Sequence, residues 1–528
     1  MKLKPLALSL LTGILLSTAW LGLSGMLLLI AFMPLLYLNH YFLQNKSAYL
    51  PIVFWFYAFI GMLVWNALST WWIWNATRTG ALFAILCNSF LMSLVWLLVH
   101  YAHRLKGAGF GAVFTVFAWV SFEYLHFKWD MSWPWLTLGN GLANDIRLIQ
   151  WYEYTGVFGG TLWILLINLL LWDILKKYVV TYERIKISQP ILIFLIVLLP
   201  VAQSLIKYRF YNESANPVNV VVLQPNIDPY TDKFDRLTPL EQHQKLIELA
   251  KLYSNDSVDL YIGPETALHD VWQNEIESSN PIRLIRNFLE TETPRAAFIT
   301  GAMTYKIYAG ESESTATARK MIGSSTMYDA FNSALFIKND EPVQLYHKSK
   351  LVSGVEKMPF NRYLKFLEKL VVDLGGTTGT LATQNDPVVF NHNGTVMGVP
   401  ICYESGYGEY VSQFIEKGAS ILVVITNDGW WDNTPGYRQH LSYSRIQAIQ
   451  FRRSIARSAN TGISCFINQK GVIEQKTQWW IEAAIEGKLN RNNFVTFYTK
   501  HGDYIARIGL FMFVLMGLSL FVARLKQH

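Results

Sequence analysis

The sequence predicts a polytopic α-helical membrane domain, then an α/β domain, then one more membrane helix. Residues 1–207 are almost entirely long apolar runs, and most runs approach the roughly 20 residues that cross a bilayer. Residues 208–503 alternate β-branched runs with amphipathic helical patterns, which favours α/β packing. A last apolar run predicts that 504–528 forms a membrane helix with a short tail.

About eight crossings are predicted, and about seven of them precede the α/β domain. The first run follows two lysines, as a signal peptide would. A second run comes at once without a clear small-residue cleavage site, so we expect the first run to be retained as a helix. The predicted spans are 5–22, 24–40, 50–72, 81–102, 108–126, 157–175, 189–206 and 505–523.

Basic residues predict the orientation of these spans, because lysine and arginine gather on the cytoplasmic side. With the N-terminus inside, the short outer loops hold Arg78, Lys128 and Arg147, and residues 208–503 lie outside. The net charge of +7 then reflects topology, so no nucleic-acid partner is expected. The inner side holds Lys2, Lys4, Lys46, Arg104, Lys106, Lys176, Lys177, Arg184, Lys186, Arg524 and Lys526.

The α/β domain is read from β-branched runs and helix caps. The start of one helix is predicted from Thr238 as N-cap, Pro239 at the first position and Glu241 as the capping-box partner. A long polar stretch, Tyr305–Asp329, predicts a functional or disordered loop. The predicted strands are Val218–Leu223, Val258–Ile262, Ala297–Thr300, Asn332–Ile337, Leu345–Lys348, the run before Cys402 and Ala419–Thr426, and the later helices are 281–290 and about 438–457, followed by a hairpin at 462–473.

Cys402 stands at a junction between an apolar β-branched run and an amphipathic helix. The helix has Tyr407, Tyr410 and Phe414 on one face, together with Val411 and Ile415. Such a junction presents the thiol at the end of a sheet, near the positive end of a helix that favours thiolate. Taken alone, a single cysteine is more often an inert, buried small residue.

Glu265 and Lys348 change that interpretation, because each also follows a β-run and precedes a turn. We expect Glu265, Lys348 and Cys402 to project from the same sheet edge. A carboxylate can take the thiol proton, the cysteine can attack an acyl carbon, and the ammonium can stabilise the oxyanion. Singly, the glutamate could cap a helix and the lysine could be a solvated strand end. No metal-ligand spacing is present, so neither metal nor cofactor is expected.

The strings around these residues resemble those of the nitrilase (carbon–nitrogen hydrolase) superfamily, whose signature is a Glu-Lys-Cys triad. They are Gly-Pro-Glu265-Thr, Tyr-His-Lys348 and Pro-Ile-Cys402-Tyr-Glu404. With its membrane spans, the chain resembles the apolipoprotein N-acyltransferases over essentially its whole length. That resemblance implies a four-layer αββα catalytic domain in the periplasm, attached to the bacterial inner membrane. It also implies transfer of an acyl chain from a phospholipid to the N-terminal amine of a diacylglyceryl-cysteine on an apolipoprotein.

The resemblance also implies residue roles: Glu265 is the general base, Lys348 the oxyanion lysine and Cys402 the nucleophile. Ser353-Gly-Val-Glu356 replaces the usual Pro-Phe-Gly-Glu, and a tryptophan common after the first strand is absent, where Tyr230 or Phe234 could serve. The supporting residues are Glu356, Tyr403, Glu404 and Asn332, and the expected lipid-contact residues are Trp430, Trp431 and Tyr230, with Tyr305–Asp329 and Gly429–His440 as mobile arms.

Two other functions are compatible with parts of this pattern. A membrane-anchored amidase or nitrilase would use the same triad with water as acceptor, but an anchor needs one span, not eight. The protein could also be a transporter or scaffold with a degenerate α/β domain. No predicted span has the row of ionisable residues that suggests a proton or ion path in a transporter. Loss of a triad residue would indicate a degenerate domain, and all three residues are present.

Reporter fusions test the predicted topology. A reporter placed after Tyr211 is expected outside and one at the C-terminus inside, because a single crossing separates them. Alkaline phosphatase and green fluorescent protein fusions measure the two sides. A cytoplasmic signal after Tyr211 would overturn the topology, and with it a periplasmic lipoprotein substrate.

Overall fold

The chain divides into two compact units in the computed structural model, which describes residues 3–360 and 380–526. A membrane unit comprises Met1–Tyr211 and His501–His528, and an α/β unit comprises Asn212–Lys500. Lys2, one of the basic residues used to predict orientation, lies outside the described residues.

The membrane unit is helical, as predicted. Within residues 3–360 and 380–526, six helices are long and apolar enough to cross a membrane, and the first helix is a shorter apolar one. The longest is interrupted at Gly107, whose φ of 85° and ψ of 179° separate the predicted spans 81–102 and 108–126. The polytopic fold is confirmed, and the count of eight crossings stays a prediction. The helices are α1 (Leu3–Ser17), α2 (Leu28–Ala31), α3 (Met33–Gln44), α4 (Pro51–Thr70), α5 (Ile73–Ala76), α6 (Arg78–Lys128), α7 (Tyr152–Leu175), α8 (Ser188–Phe210) and the C-terminal helix Tyr504–Leu525.

A buried irregular segment between α6 and α7 is held by Glu123. The Glu123 carboxylate accepts hydrogen bonds from the backbone N–H of Leu138 at 2.8 Å, the Trp119 indole at 2.9 Å and the Thr161 hydroxyl at 2.6 Å. The Tyr152 hydroxyl donates to the Gly139 carbonyl at 2.8 Å. Non-helical backbone in apolar surroundings needs such partners, because water is not there to supply them.

Replacing Glu123 with leucine is expected to destabilise the membrane unit by about 1–3 kcal/mol, because buried donors lose their acceptor. Glu123→Gln keeps one acceptor oxygen and is the milder control. Thermal unfolding of the full-length protein in detergent measures the difference. Equal midpoints for wild type and Glu123→Leu would show that this carboxylate does not hold the segment.

The α/β unit contains a mixed eight-stranded sheet in the order β14-β1-β2-β4-β6-β5, with β3 paired to β4 and β7 paired to β6. Strands β1 and β2 are parallel neighbours that end at the same side, and β2 also runs parallel to the first residues of β4. The strands are β1 (Pro217–Gln224), β2 (Leu260–Ile262), β3 (Leu268–Trp272), β4 (Ala297–Tyr308), β5 (Arg319–Lys320), β6 (Met327–Ile337), β7 (Gln344–His347) and β14 (Ala483–Asn490).

A second sheet of six strands has the order β13-β12-β11-β10-β9-β8. Its central strand β10 is buried at every residue, as the continuous apolar run predicts. The strands are β8 (Val389–His392), β9 (Thr395–Gly398), β10 (Ile421–Thr426), β11 (Ile455–Ala459), β12 (Cys465–Ile467) and β13 (Ile473–Lys476).

Helices cover the outer face of each sheet, and the two sheets face each other. Leu246 and Ile285, from two helices, pack with Tyr261 of the first sheet in one core. Between the sheets, the Ser458 hydroxyl donates to the Leu223 carbonyl at 2.8 Å. The expected αββα layering is therefore confirmed. The helices are α9 (Pro239–Lys251), α10 (Asn280–Glu292), α11 (Gly408–Glu416), α12 (Pro435–Phe451) and α13 (Phe497–His501).

Two predicted elements have wrong boundaries. The stretch predicted as a loop, Tyr305–Asp329, is strand at both ends, because β4 and β6 pair antiparallel out to Tyr308 opposite Met327. The helix predicted at about 438–457 begins at Pro435, where the Thr434 hydroxyl accepts from the backbone N–H of Gly436, and it ends at Phe451. Strands β3, β5, β8, β11 and β14 were not predicted. The capping box of α9 is present as predicted.

Candidate active site

Lys348 lies between two carboxylates at the end of β7. Its Nζ is 2.9 Å from Glu265 Oε1 and 2.8 Å from Glu356 Oε1, and the side chain is 1% exposed. The Asn332 amide bridges the same two oxygens, donating at 2.8 Å to Glu265 and 3.0 Å to Glu356. The structure therefore brings together four of the residues singled out in the sequence.

Glu265 follows β2 and is held on both oxygens. The backbone N–H of Asn427 donates to Oε2 at 3.1 Å, and the Cys402 thiol also hydrogen-bonds to this carboxylate. Gly301 on β4 allows the close approach, since a Cβ there would lie 2.6 Å from Glu265 Cα. The carboxylate has little freedom to turn away from the thiol.

The charges in this cluster stabilise one another against burial. Burial raises the pKa of Glu265, but the Lys348 ammonium outweighs it and holds that pKa below its ordinary value. Burial lowers the pKa of Lys348, but Glu265 and Glu356 raise it well above its ordinary value. At neutral pH the pair is ionised.

The Cys402 thiol is 9% exposed, and its resting state is the neutral thiol. Burial raises its pKa far above the ordinary value, and the Glu265 carboxylate raises it further. The expectation that a helix end favours thiolate is therefore wrong, because Cys402 opens a short 3₁₀ turn, Cys402–Gly406, and the Glu265 anion influences the thiol pKa more than the Lys348 ammonium does. The adjacent carboxylate can instead accept the proton when the sulfur attacks.

The prediction that Glu265, Lys348 and Cys402 project from one sheet edge is wrong. Glu265 and Lys348 follow strands of the first sheet, whereas Cys402 follows β9 in the second. The isolated bridge between Ile401 and Ile425 continues the second sheet up to the cysteine. The side chains meet because the two sheets face each other.

Glu404 is fully buried and accepts hydrogen bonds from backbone N–H groups. It accepts from the N–H groups of Ile401 at 2.8 Å and Ser349 at 2.6 Å, and from the Tyr346 hydroxyl at 2.7 Å. Burial raises the pKa of Glu404 to about 7, although these donors favour its anion. Through Ser349, Glu404 ties the residue after Lys348 to the turn that holds Cys402.

The aromatic residues predicted at the site contact other aromatic rings. The Tyr403 ring is edge-on to Tyr407, with centroids 5.3 Å apart. The Tyr230 hydroxyl donates to the Trp430 carbonyl at 2.6 Å, and their rings lie 5.5 Å apart. Trp431 is edge-on to His440 at 5.5 Å.

Sequence reasoning missed a buried polar cluster behind Cys402, formed by Asp428, His440 and Arg457. In this cluster, His440 Nε2 lies 3.1 Å from the Cys402 carbonyl oxygen. A signal was present: His440, Ser444 and Gln447 share one face of α12 at helical spacing, and this polar face is buried. Tyr346 was missed too, although it sits on the strand that ends at Lys348.

No group of three or more His, Cys, Asp or Glu residues able to hold a metal ion occurs in the part of the chain that the structure describes. The arrangement supports covalent chemistry through a thiol, a carboxylate and an ammonium.

The carbon–nitrogen hydrolase family model matches residues 219–496, which is more than half of the chain. The chain belongs to the carbon–nitrogen hydrolase family. Its N-terminal part is similar to a second family, the apolipoprotein N-acyltransferase N-terminal domain, over residues 12–170. The resemblance inferred from the sequence motifs and spans is thus confirmed.

Relatives of this carbon–nitrogen hydrolase extend along nearly the full chain. The apolipoprotein N-acyltransferase of Chlorobaculum tepidum is 29% identical over 96% of this chain and 95% of its own. That of Thermotoga maritima is 24% identical over 99% of this chain and 95% of its own. Among solved structures, a Saccharomyces cerevisiae member of branch 10 of the nitrilase superfamily is 12% identical, covers 53% of this chain and 93% of its own, and has a TM-score of 0.37.

Lys348→Ala is expected to abolish activity and to lower the free energy of unfolding by about 3–5 kcal/mol at pH 7, because it leaves buried carboxylates without their cation. The folded structure holds the pKa of Glu265 below its ordinary value of 4.5. The ionised carboxylate therefore stabilises the fold above about pH 4.5, and this stabilisation is lost as the pH falls through the folded pKa. The difference in free energy of unfolding between wild type and Lys348→Ala should therefore become smaller below about pH 4.5.

Unfolding of the full-length protein in detergent at several pH values measures this deficit. Lys338→Ala is the control, because Lys338 pairs with Glu341 at 2.6 Å where Glu341 is 48% exposed, and such pairs contribute less than about 1 kcal/mol. A deficit for Lys348→Ala that is equally small, or that grows in acid, would contradict the buried-charge account.

Proposed function

We propose that this protein transfers an acyl chain from a membrane phospholipid to the N-terminal amine of the diacylglyceryl-cysteine of apolipoproteins. The observation that carries the proposal is the contact of Cys402 and Lys348 with one buried carboxylate, Glu265. It occurs in a chain whose residues 12–170 are similar to the N-terminal domain of apolipoprotein N-acyltransferases. The relatives named apolipoprotein N-acyltransferase also match along nearly the whole chain.

In the first half-reaction, Glu265 takes the thiol proton while the sulfur of Cys402 attacks the ester carbonyl carbon of the phospholipid. The ammonium of Lys348 stabilises the oxyanion that forms. The carbon–oxygen ester bond then breaks, and the lysophospholipid alkoxide leaves with the proton from Glu265. The acyl chain remains on Cys402 as a thioester.

In the second half-reaction, the neutral amine of the lipoprotein attacks the thioester carbon. Glu265 takes a proton from the amine nitrogen, the carbon–sulfur bond breaks, and the thiolate of Cys402 recovers that proton. Two bulky lipid substrates would occupy one pocket in turn, which is a ping-pong order. The thioester must be kept from water, in keeping with the burial of Cys402.

Glu356 has a specific part in this cycle. When Glu265 is protonated, Lys348 keeps a carboxylate partner at 2.8 Å in Glu356. The lysine therefore stays charged at the moment when the oxyanion needs it. Asn332, bonded to both carboxylates, keeps them at the spacing that lets one ammonium serve both.

We further propose that the α/β unit lies in the periplasm and that the chain resides in the bacterial inner membrane. Tyr230, Trp430 and Trp431 are proposed to contact lipid, since tryptophan and tyrosine favour the membrane interface. Tyr403 and Glu404 support the Cys402 turn. The reaction requires no cofactor or metal, because the nucleophile, the base and the oxyanion partner are side chains of this protein.

Phospholipid supplied without acceptor is expected to leave an acyl thioester on Cys402. Hydroxylamine should cleave this thioester, and a diacylglyceryl peptide should take up its acyl group on the peptide amine. Mass spectrometry of the Cys402 peptide and of the acceptor measures both steps. Cys402→Ala and Glu265→Gln should form no adduct.

Cys465→Ala is the matched control, because Cys465 is a second buried thiol in the α/β unit. It should form and discharge the thioester like wild type. Release of free fatty acid at one rate with or without the peptide would favour an amidase-like hydrolase that uses water as acceptor.

A further inference from the structure

The buried polar cluster of Asp428, His440 and Arg457 lies directly behind the Cys402 turn. All three side chains are at most 1% exposed. Arg457 on β11 donates to Asp428 Oδ2 at 2.7 Å and to the Ser444 hydroxyl on α12 at 3.1 Å. Burial raises the pKa of Asp428, but Arg457 and His440 bring it down to about 2, so the carboxylate is ionised. The cluster joins the end of β10 to β11 and α12.

Cys402 adopts an unusual backbone conformation in front of this cluster. Its φ is +48°, in the left-handed region that residues with a Cβ rarely adopt. Such a conformation persists only where surrounding contacts hold it, and it is found mostly at functional sites. The contacts at this peptide therefore matter for where the sulfur points.

Two side chains hold the carbonyl of Cys402. The Ser405 hydroxyl donates to that oxygen at 2.7 Å, and His440 Nε2 lies 3.1 Å from it. A carbonyl oxygen carries no proton, so Nε2 is the donor. On the other side of the ring, Nδ1 lies 2.9 Å from Asp428 Oδ1 and 3.1 Å from Arg457 Nη2, which fix the ring orientation.

We propose that His440, oriented by Asp428 and Arg457, is a positioning residue that holds the Cys402 peptide in its left-handed conformation and so directs the sulfur at Glu265. The inference rests on the proposed function in taking Cys402 as the nucleophile. His440 is not the base, because its proton-bearing Nε2 is directed to the carbonyl and Glu265 receives the thiol hydrogen bond. Its effect is on the rate of acylation of Cys402, not on substrate affinity.

A pair of substitutions separates positioning from packing. In His440→Gln the amide nitrogen reaches the place of Nε2 and can still donate to the carbonyl. In His440→Asn the shorter amide reaches the place of Nδ1 and retains a partner in Asp428, but it loses the carbonyl. Both variants bury a neutral amide, so a role in filling space would affect them alike.

The probe is p-nitrophenyl acetate, which reports acylation of Cys402 without any lipid. The sulfur bonds to the acetyl carbon, nitrophenolate leaves, and the thiol proton passes to Glu265, so a burst of nitrophenolate counts the first step. Full-length protein in detergent is used, and thioester formation from phospholipid is measured in parallel.

His440→Asn is expected to slow the burst by about 10-fold or more with little change in the ester concentration at half-maximal rate, since a 1 Å displacement can cost about 10²-fold. His440→Gln should recover most of the rate. His392→Asn is the control, because His392 is also buried and lies 2.9 Å from a backbone carbonyl, that of Arg295, on edge strand β8. It should react like wild type.

If His440→Asn does not fold, Ser405→Ala carries the test, because it removes the other donor to the same carbonyl. It should slow the burst with an unchanged melting temperature. Equal rates for His440→Asn and His440→Gln, or an unaltered burst in Ser405→Ala, would overturn the proposal.

The two proposals fail separately. A wild-type burst with p-nitrophenyl acetate but no thioester from phospholipid would refute the proposed acyl donor and leave the positioning role standing. A normal thioester from phospholipid in His440→Asn would refute the positioning role alone. A wild-type protein with neither a burst nor a thioester from phospholipid would remove Cys402 as the nucleophile and overturn both.

Discussion

The structure of the site depends on one ammonium shared by two buried carboxylates. Lys348 is 1% exposed, and neither it nor Glu265 could stay ionised there without the other. Glu356 and Asn332 complete the cluster, so that each oxygen facing Lys348 has a second hydrogen bond. Because removal of Lys348 leaves two buried carboxylates without a cation, the positions of β2, β6 and β7 at this edge are tied to the charge cluster.

This arrangement also explains why a neutral thiol is compatible with nucleophilic attack. The Glu265 anion raises the pKa of Cys402 and is at the same time its hydrogen-bond acceptor. Proton transfer from sulfur to carboxylate exchanges one anion for another inside the same pocket, and Lys348 faces both. The net charge of the site is unchanged by the transfer, which limits the cost of creating a buried thiolate.

Much of this could be predicted from local sequence. The cap at Thr238, the apolar run of β10 and the long apolar helices of the membrane unit follow from local periodicity and short-range hydrogen bonding, and these features are observed. The pairing of Glu265, Lys348 and Cys402 was predicted from their places after strands, but the assignment of Cys402 to the second sheet depends on long-range pairing that no local pattern encodes. The extent of β4 was missed for the same reason, since its polar end is stabilised by β6. His440 was missed because a polar helix face usually faces solvent, whereas α12 turns that face inward toward Arg457 and Asp428.

The division of the site between two sheets has a consequence for how the chain matures. In a partly folded chain, one sheet can form before the two sheets stack. Cys402 then lacks the neighbouring carboxylate, and Glu265 lacks the neighbouring thiol. Such a chain has an ordinary thiol with neither the carboxylate nor the ammonium beside it. The arrangement of thiol, carboxylate and ammonium therefore forms only when the two sheets stack, so it depends on the complete fold of the α/β unit.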